Sequence, residues 1–201
     1  MSIEIRPVGP FDLSLTLAFL RGFSPTRGEQ EVGVDGVTKA FMVAGRPVGA
    51  RVRGSGGDRE KPTLEVELFA NRVLEGSEAS EARSRIEDLL TTYEDLSPFY
   101  ARAAEDGACA ALVSRFRGLH HVRFPSAFEA ACWGVINQRI GLVAARRMKD
   151  ALVRRAGSSI IVDGSEHWAF PEPRGVLELG EREVALLIPG GRRAAALMAV
   201  S

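Results

Sequence analysis

Apolar positions along the first 70 residues follow two periods. Residues 1–7 alternate, with Ile3 and Ile5 on one side, as in a short strand. Leu13, Leu17 and Leu20 then recur at helical spacing, which predicts a helix over 11–23 with Asp12 or Ser14 near its start. Strand-like runs follow at 36–43, 47–52 and 63–70. Gly45-Arg46 lies between the first two and suits a tight turn. Gly54-Ser55-Gly56-Gly57-Asp58 reads as a flexible loop, without the Gly-Lys-Ser/Thr that a phosphate loop requires.

Beyond residue 70 the helical period takes over. Residues 71–93 are acidic and small before Ile86, Leu89 and Leu90, and read as a linker leading into a helix. Asp95 or Ser97 can cap the next helix, with Pro98 at its first position. Its apolar face carries Tyr100, Ala103, Ala104, Leu112, Val113 and Phe116, and Gly118 ends it. The stretch 124–157 organises the rest. Ser126 is an N-cap and Glu129 stands three residues on, as in a capping box. Phe128, Ala131, Cys132 and Val135 form one apolar stripe. The pattern breaks at Asn137-Gln138-Arg139-Ile140-Gly141, restarts at Leu142 and runs to about Arg155, with Gly157 placed to end it. A β-like run, Ile160-Ile161-Val162, precedes Asp163-Gly164, and helices over 181–187 and 192–200 complete the pattern.

Composition adds limits. At 201 residues, 45% hydrophobic and 26% charged, the chain can bury a proper core as one large domain or two small ones. Zero net charge removes any global attraction to nucleic acid, so such affinity must come from local patches. One patch stands out: Arg146, Arg147, Lys149, Arg154 and Arg155 share a helix with one acid, Asp150, behind the polar tip. That helix reads either as a solvated face or as a surface turned to DNA phosphates. Cys109 and Cys132 sit in apolar helical patterns and are expected to be reduced core residues. No run of transmembrane length, signal-peptide pattern or metal-ligand spacing is present, so a cytoplasmic protein without metal or cofactor is expected.

Several segments, in order over about half the chain, resemble the helix-hairpin-helix DNA glycosylases. The likeness is strongest to the 3-methyladenine DNA glycosylase II (AlkA-like) branch. They are DLSPFYARAAEDGACAALVSRFRGLHHVRFP (95–125), FPSAFEAACWGVINQRIGLVAARRM (124–148), and WAFPEP (168–173) followed by VLELGEREVALLIPGGRRAAALMAV. The resemblance implies an α+β fold. A small antiparallel β-sheet N-terminal domain with a helix, plus its linker, would span 1–93, and a partial all-α glycosylase core would span 94–201. It also implies a monofunctional N-glycosylase that removes alkylated bases from double-stranded DNA by base flipping, with neither membrane nor metal involved.

In that resemblance the tip Gln138-Arg139-Ile140 enters the duplex. Arg139 matches the position of the inserted side chain, Ile140 is the alternative wedge, and Arg146, Arg147 and Lys149 face DNA. The family hairpin, Leu-Pro-Gly-x-Gly, and the catalytic Asp about twenty residues after it have no match. Ile188-Pro189-Gly190-Gly191 lacks the apolar residue between glycines and matches, in register, an earlier helix-turn-helix. The catalytic Asp and most of the aromatic base pocket are therefore expected beyond Ser201, and the chain is expected to be the N-terminal two-thirds of a glycosylase, inactive alone. Its last helices are expected to expose an apolar face open to association. Asp95, Asp106, Asp150 and Asp163 qualify as catalytic only by residue type. The competing readings are a non-catalytic DNA-binding module and an interaction protein using that apolar face.

Overall fold

The alternating runs pair as one antiparallel sheet. In the computed structural model, which describes residues 1–26, 29–55 and 58–201, the strands are β1 (Ser2–Ile5), β2 (Gln30–Val32), β3 (Gly36–Val43), β4 (Arg46–Gly54) and β5 (Leu64–Phe69), in spatial order β1-β5-β4-β3-β2. Val43 pairs with Arg46 around a two-residue turn at Ala44-Gly45, both left-handed, one residue earlier than the pattern predicts. The centre of the expected 54–58 loop, Gly56-Gly57, lies outside the described residues. Helix α1 (Leu13–Gly22) is capped by Asp12, whose carboxylate accepts the Ser14 N–H at 2.9 Å.

Period two sends Val48, Ala50 and Val52 of β4 and Leu64, Val66 and Leu68 of β5 to one face of the sheet. There they meet Leu17 and Leu20 of α1 and Ala82, Ile86, Leu89 and Leu90 of α2 (Gly76–Leu90). Most of the stretch expected as a linker leading into a helix is thus α2 itself, and one side of it joins the first core.

Helices α3 (Ser97–Ala103), α4 (Gly107–Arg115), α5 (Ala127–Ile136), α6 (Leu142–Ala156), α7 (Pro173–Leu187) and α8 (Gly191–Val200) form the second half. The helix expected from 97 onwards is two helices, because Asp106 accepts the N–H groups of Ala108 and Cys109 and so starts α4. None of α4's residues is buried, and Leu112 and Phe116 are 61% and 40% exposed. Cys109 is accordingly exposed, which corrects its assignment to the core, whereas Cys132 is fully buried. Burial, reinforced by the Glu129 charge, pushes the Cys132 thiol up to about 12. The buried edge of α5 is Glu129, Cys132 and Ile136, while Ala131 faces out. Helix α7 is interrupted at Gly180, whose φ is +75°. On α7 and α8, Leu177, Leu186 and Val200 are exposed.

The second half also contains a hairpin, β6 (Ser158–Val162) with β7 (Ser165–Ala169), which packs on the other face of the sheet. Gly49 of β4 makes this possible, since a Cβ there would lie 2.7 Å from a Val162 methyl. Gly157 is also set by close approach. Its φ is −79°, not left-handed, but a Cβ would meet the carbonyl oxygens of Ala169 and Val153 at 2.4 and 2.5 Å.

Gly49→Ala is expected to destabilise the protein by about 1–3 kcal/mol through overpacking against Val162. In urea unfolding, Gly49→Ala with Val162→Ala should lose less than the sum of the two single changes. Strict additivity would show that the hairpin does not rest on Gly49.

Candidate nucleic-acid interface

Helix α5 stops where the sequence becomes Asn137-Gln138-Arg139, and α6 restarts at Leu142 after Gly141, which offers no side-chain cap. Gln138 and Arg139 are exposed, and Arg139 holds a left-handed φ of +52°. Ile140 is half-buried against the second core and so projects less than its neighbour. Further along α6, Arg147 is exposed and Arg146 half-buried. Arg154, Arg155 and Arg174 each pair with a carboxylate. Among the described residues Arg139, Arg146, Arg147 and Arg192, at the start of α8, do not. Positive charge therefore stands uncompensated at this end of a chain that is neutral as a whole.

Lys149 corrects the sequence reading. It is 0% exposed, and its ammonium donates to both Glu29 oxygens at 2.5 and 2.6 Å and to Glu129 at 2.7 Å. Lys39 of β3 stands 3.5 Å from Glu29. Lys149 thus faces inward, two residues on from the exposed Arg147, and is unavailable to a phosphate. Glu129 changes role with it. Its backbone N–H is capped by Ser126 at 3.1 Å, but its carboxylate turns into this cluster, so the expected capping box is only half formed. Burial alone would raise the Glu129 carboxyl, but Lys149 and Lys39 outweigh it and hold the group below its ordinary value. Burial likewise opposes the Lys149 charge, and Glu129 and Glu29 reverse the effect and raise it.

The Lys149 ammonium also lies 5.3 Å from the Phe124 ring centre and 5.2 Å from that of Phe170. The Phe124 ring borders a cleft of about 530 Å³ between α1, the end of α2 and the start of α5. Phe19, Phe23, Phe124, Asp88, His121 and Arg123 line it. Phe19 and Phe23 stack at 5.3 Å, and Phe23 meets Phe124 at 6.1 Å. Ala127 and Ala130 of α5 complete the wall. This cleft was not singled out from the sequence. The signal was present: Phe19 sits off the Leu13-Leu17-Leu20 stripe and is 41% exposed. Such a cleft can hold a flat, electron-poor ring between aromatic faces.

The four aspartates have structural partners. Asp95 accepts the Ser97 N–H at 2.8 Å, and this backbone bond holds its carboxyl below the ordinary range. The N–H groups of Cys109 and Ala108 do the same for Asp106. Asp150 faces Arg154 at 3.6 Å, and Asp163 binds Arg51. His120 is buried between the carbonyls of Thr91 and Pro10, leaving only His121 at the cleft. Among the described residues no group of three or more His, Cys, Asp or Glu is gathered as a metal site, and no helix is long and apolar enough to cross a membrane.

No family profile matches the sequence. The chain is 32% identical over 118 residues to a DNA-3-methyladenine glycosylase of Bacillus subtilis, a match covering 59% of this chain and 39% of that protein. Its fold is that of the DNA glycosylases. It superposes on a 3-methyladenine DNA-glycosylase from Archaeoglobus fulgidus with a TM-score of 0.78 at 19% identity, covering 99% of this chain and 66% of that one. It also superposes on the Clostridium acetobutylicum 8-oxoguanine glycosylase/lyase in complex with double-stranded DNA containing cytosine opposite 8-oxoG. There the TM-score is 0.61 at 16% identity, covering 100% of this chain and 63% of the other. The chain thus spans less than two-thirds of each of these relatives.

Lys149→Met is expected to cost about 3–5 kcal/mol in denaturant unfolding, because two carboxylates remain buried with Lys39 as their nearby cation. Adding Glu129→Gln should recover part of that loss. The depressed Glu129 carboxyl contributes stability above its ordinary value of 4.5, and loses it as pH falls through the lower folded value. Acid titration of stability should therefore flatten below about pH 4.5 in Glu129→Gln. An unchanged acid limb would assign acid sensitivity to other groups.

Proposed function

We propose that this chain is the DNA-gripping and base-receiving part of a monofunctional DNA N-glycosylase acting on alkylated bases. One observation carries the reading. A protruding tip with unpaired cations and an aromatic cleft lie at the two ends of one helix, α5. Ala130 at the cleft and Gln138 at the tip are eight residues apart, about 12 Å along a helix.

Extruding a nucleotide costs a few kcal/mol in lost stacking and pairing, which an inserted side chain and phosphate contacts offset. Arg139 is the exposed residue at the tip, and its planar guanidinium can stack in the vacated space. Arg146, Arg147 and Arg192 then suit the flanking phosphates, positioning without reading sequence. The extruded base enters the cleft between Phe19, Phe23 and Phe124. Alkylation at a ring nitrogen makes a purine cationic, and aromatic faces favour a cation over a neutral base, with Asp88 set against Arg123 in the same lining. The Bacillus relative's name gives the same substrate class. The DNA in the Clostridium complex supports a duplex as the partner.

Anisotropy titrations with a duplex carrying an abasic-site analogue and its intact counterpart test this. The expected result is tighter binding to the abasic duplex, weakened by salt as phosphate contacts require. Arg139→Ala should reduce the preference by about tenfold. Phe19→Ala should leave abasic binding unchanged while weakening binding to a duplex with an extrudable alkylated base. Equal affinity for both duplexes, unaffected by Arg139→Ala, would leave the tip as ordinary surface and sink the proposal.

A further inference from the structure

The tip is held from outside its own helices. Arg193, in the first turn of α8, donates from Nη2 to the Gln138 carbonyl at 2.7 Å and from Nη1 to the Pro189 carbonyl at 3.0 Å. Both carbonyls lie just past a helix C-terminus, α5 in one case and α7 in the other, where backbone acceptors lack intrahelical partners. A guanidinium, with rigid donors spread in one plane, can satisfy both at once, and an ammonium on a flexible stem cannot reproduce that fork. Among the described residues no carboxylate pairs with Arg193, and its Nε is buried without a partner. Its placement is therefore fixed by these two carbonyls rather than by an ion pair.

Gly190 makes room for the arrangement. Its φ is +116°, and a Cβ there would lie 2.8 Å from Arg193 Nη1. On the other side, the Gln138 carbonyl belongs to the peptide unit leading into Arg139, whose left-handed φ of +52° is disfavoured for a residue with a side chain. The Arg193 bond fixes the plane from which that conformation starts.

We infer that Arg193 is a positioning residue that locks the Gln138–Arg139 tip in its projecting conformation. This rests on the proposed DNA reading for its purpose, but not for its geometry. One N–H of each Arg193 Nη is held inside the chain, and the effect on DNA is assigned to transmission through Arg139. The neighbouring Arg192 is free to meet phosphate directly.

The test combines hydrogen exchange of the free protein over 136–142 with the abasic and intact duplex titrations, for wild type, Arg193→Met and Arg193→Lys. Arg193→Lys keeps charge and stem, so it probes the fork even if Arg193→Met folds poorly. Both variants should raise exchange at the tip by about tenfold. The abasic preference should fall by about tenfold, with intact-duplex affinity within about twofold of wild type. Arg192→Ala, in contrast, should weaken both duplexes together. Unchanged tip exchange would overturn the inference, as would loosened exchange with the abasic preference retained. If wild type shows no abasic preference while the variants still loosen the tip, the DNA reading fails and the Arg193 lock stands.

Discussion

A fully buried ammonium carries a large desolvation cost unless opposite charge meets it, and Lys149 draws that charge from distant parts of the chain. Glu29, which precedes β2, and Glu129 of α5 come to one point inside the protein, with Lys39 of β3 alongside. The four charges cancel, and together they join the sheet to the helices by a contact between residues 120 apart in sequence. The Phe124 ring beside the ammonium is also a wall of the aromatic cleft. Core electrostatics and the aromatic cleft are therefore coupled through one side chain.

What the sequence made legible was local. Strands β3 to β5, a helix start at Asp12 or Ser14, the Ser126 cap and the break between α5 and α6 follow from alternation, capping chemistry and poor helix formers, all within a few residues. Strand β2 is three residues long, too short to show a period. Lys149 was misread because, within 142–156, a lysine among arginines looks solvated, and only Glu29 reveals otherwise. Glu129 misled similarly, its spacing from Ser126 matching a capping box while its charge was needed elsewhere. Cys109 sits among alanines and Leu112, yet α4 buries nothing against the described residues. The hairpin was visible as a β-like run, but its seat depends on the bare backbone of Gly49, far away in sequence.

The agreement in backbone with glycosylases at 16–19% identity separates two kinds of information in this chain. The architecture tolerates wide replacement of side chains, provided apolar periods and caps persist. The candidate interface rests on particular residues, mostly arginines that pair with no carboxylate among the described residues. With no net charge, the protein exerts little long-range pull on any polyanion.

The left-handed backbone at Arg139 has an evolutionary consequence. Unbranched or short polar side chains, such as Arg, Lys, Gln or Asn, tolerate that conformation far better than Val, Ile or Thr. The backbone therefore acts as a filter on drift. Residue 139 can be exchanged among flexible side chains one mutation at a time. Placing a β-branched residue at position 139 would require the loop itself to be rebuilt. Diversity of reading at this position is thus expected to explore length, charge and hydrogen bonding, and not branching at the β-carbon.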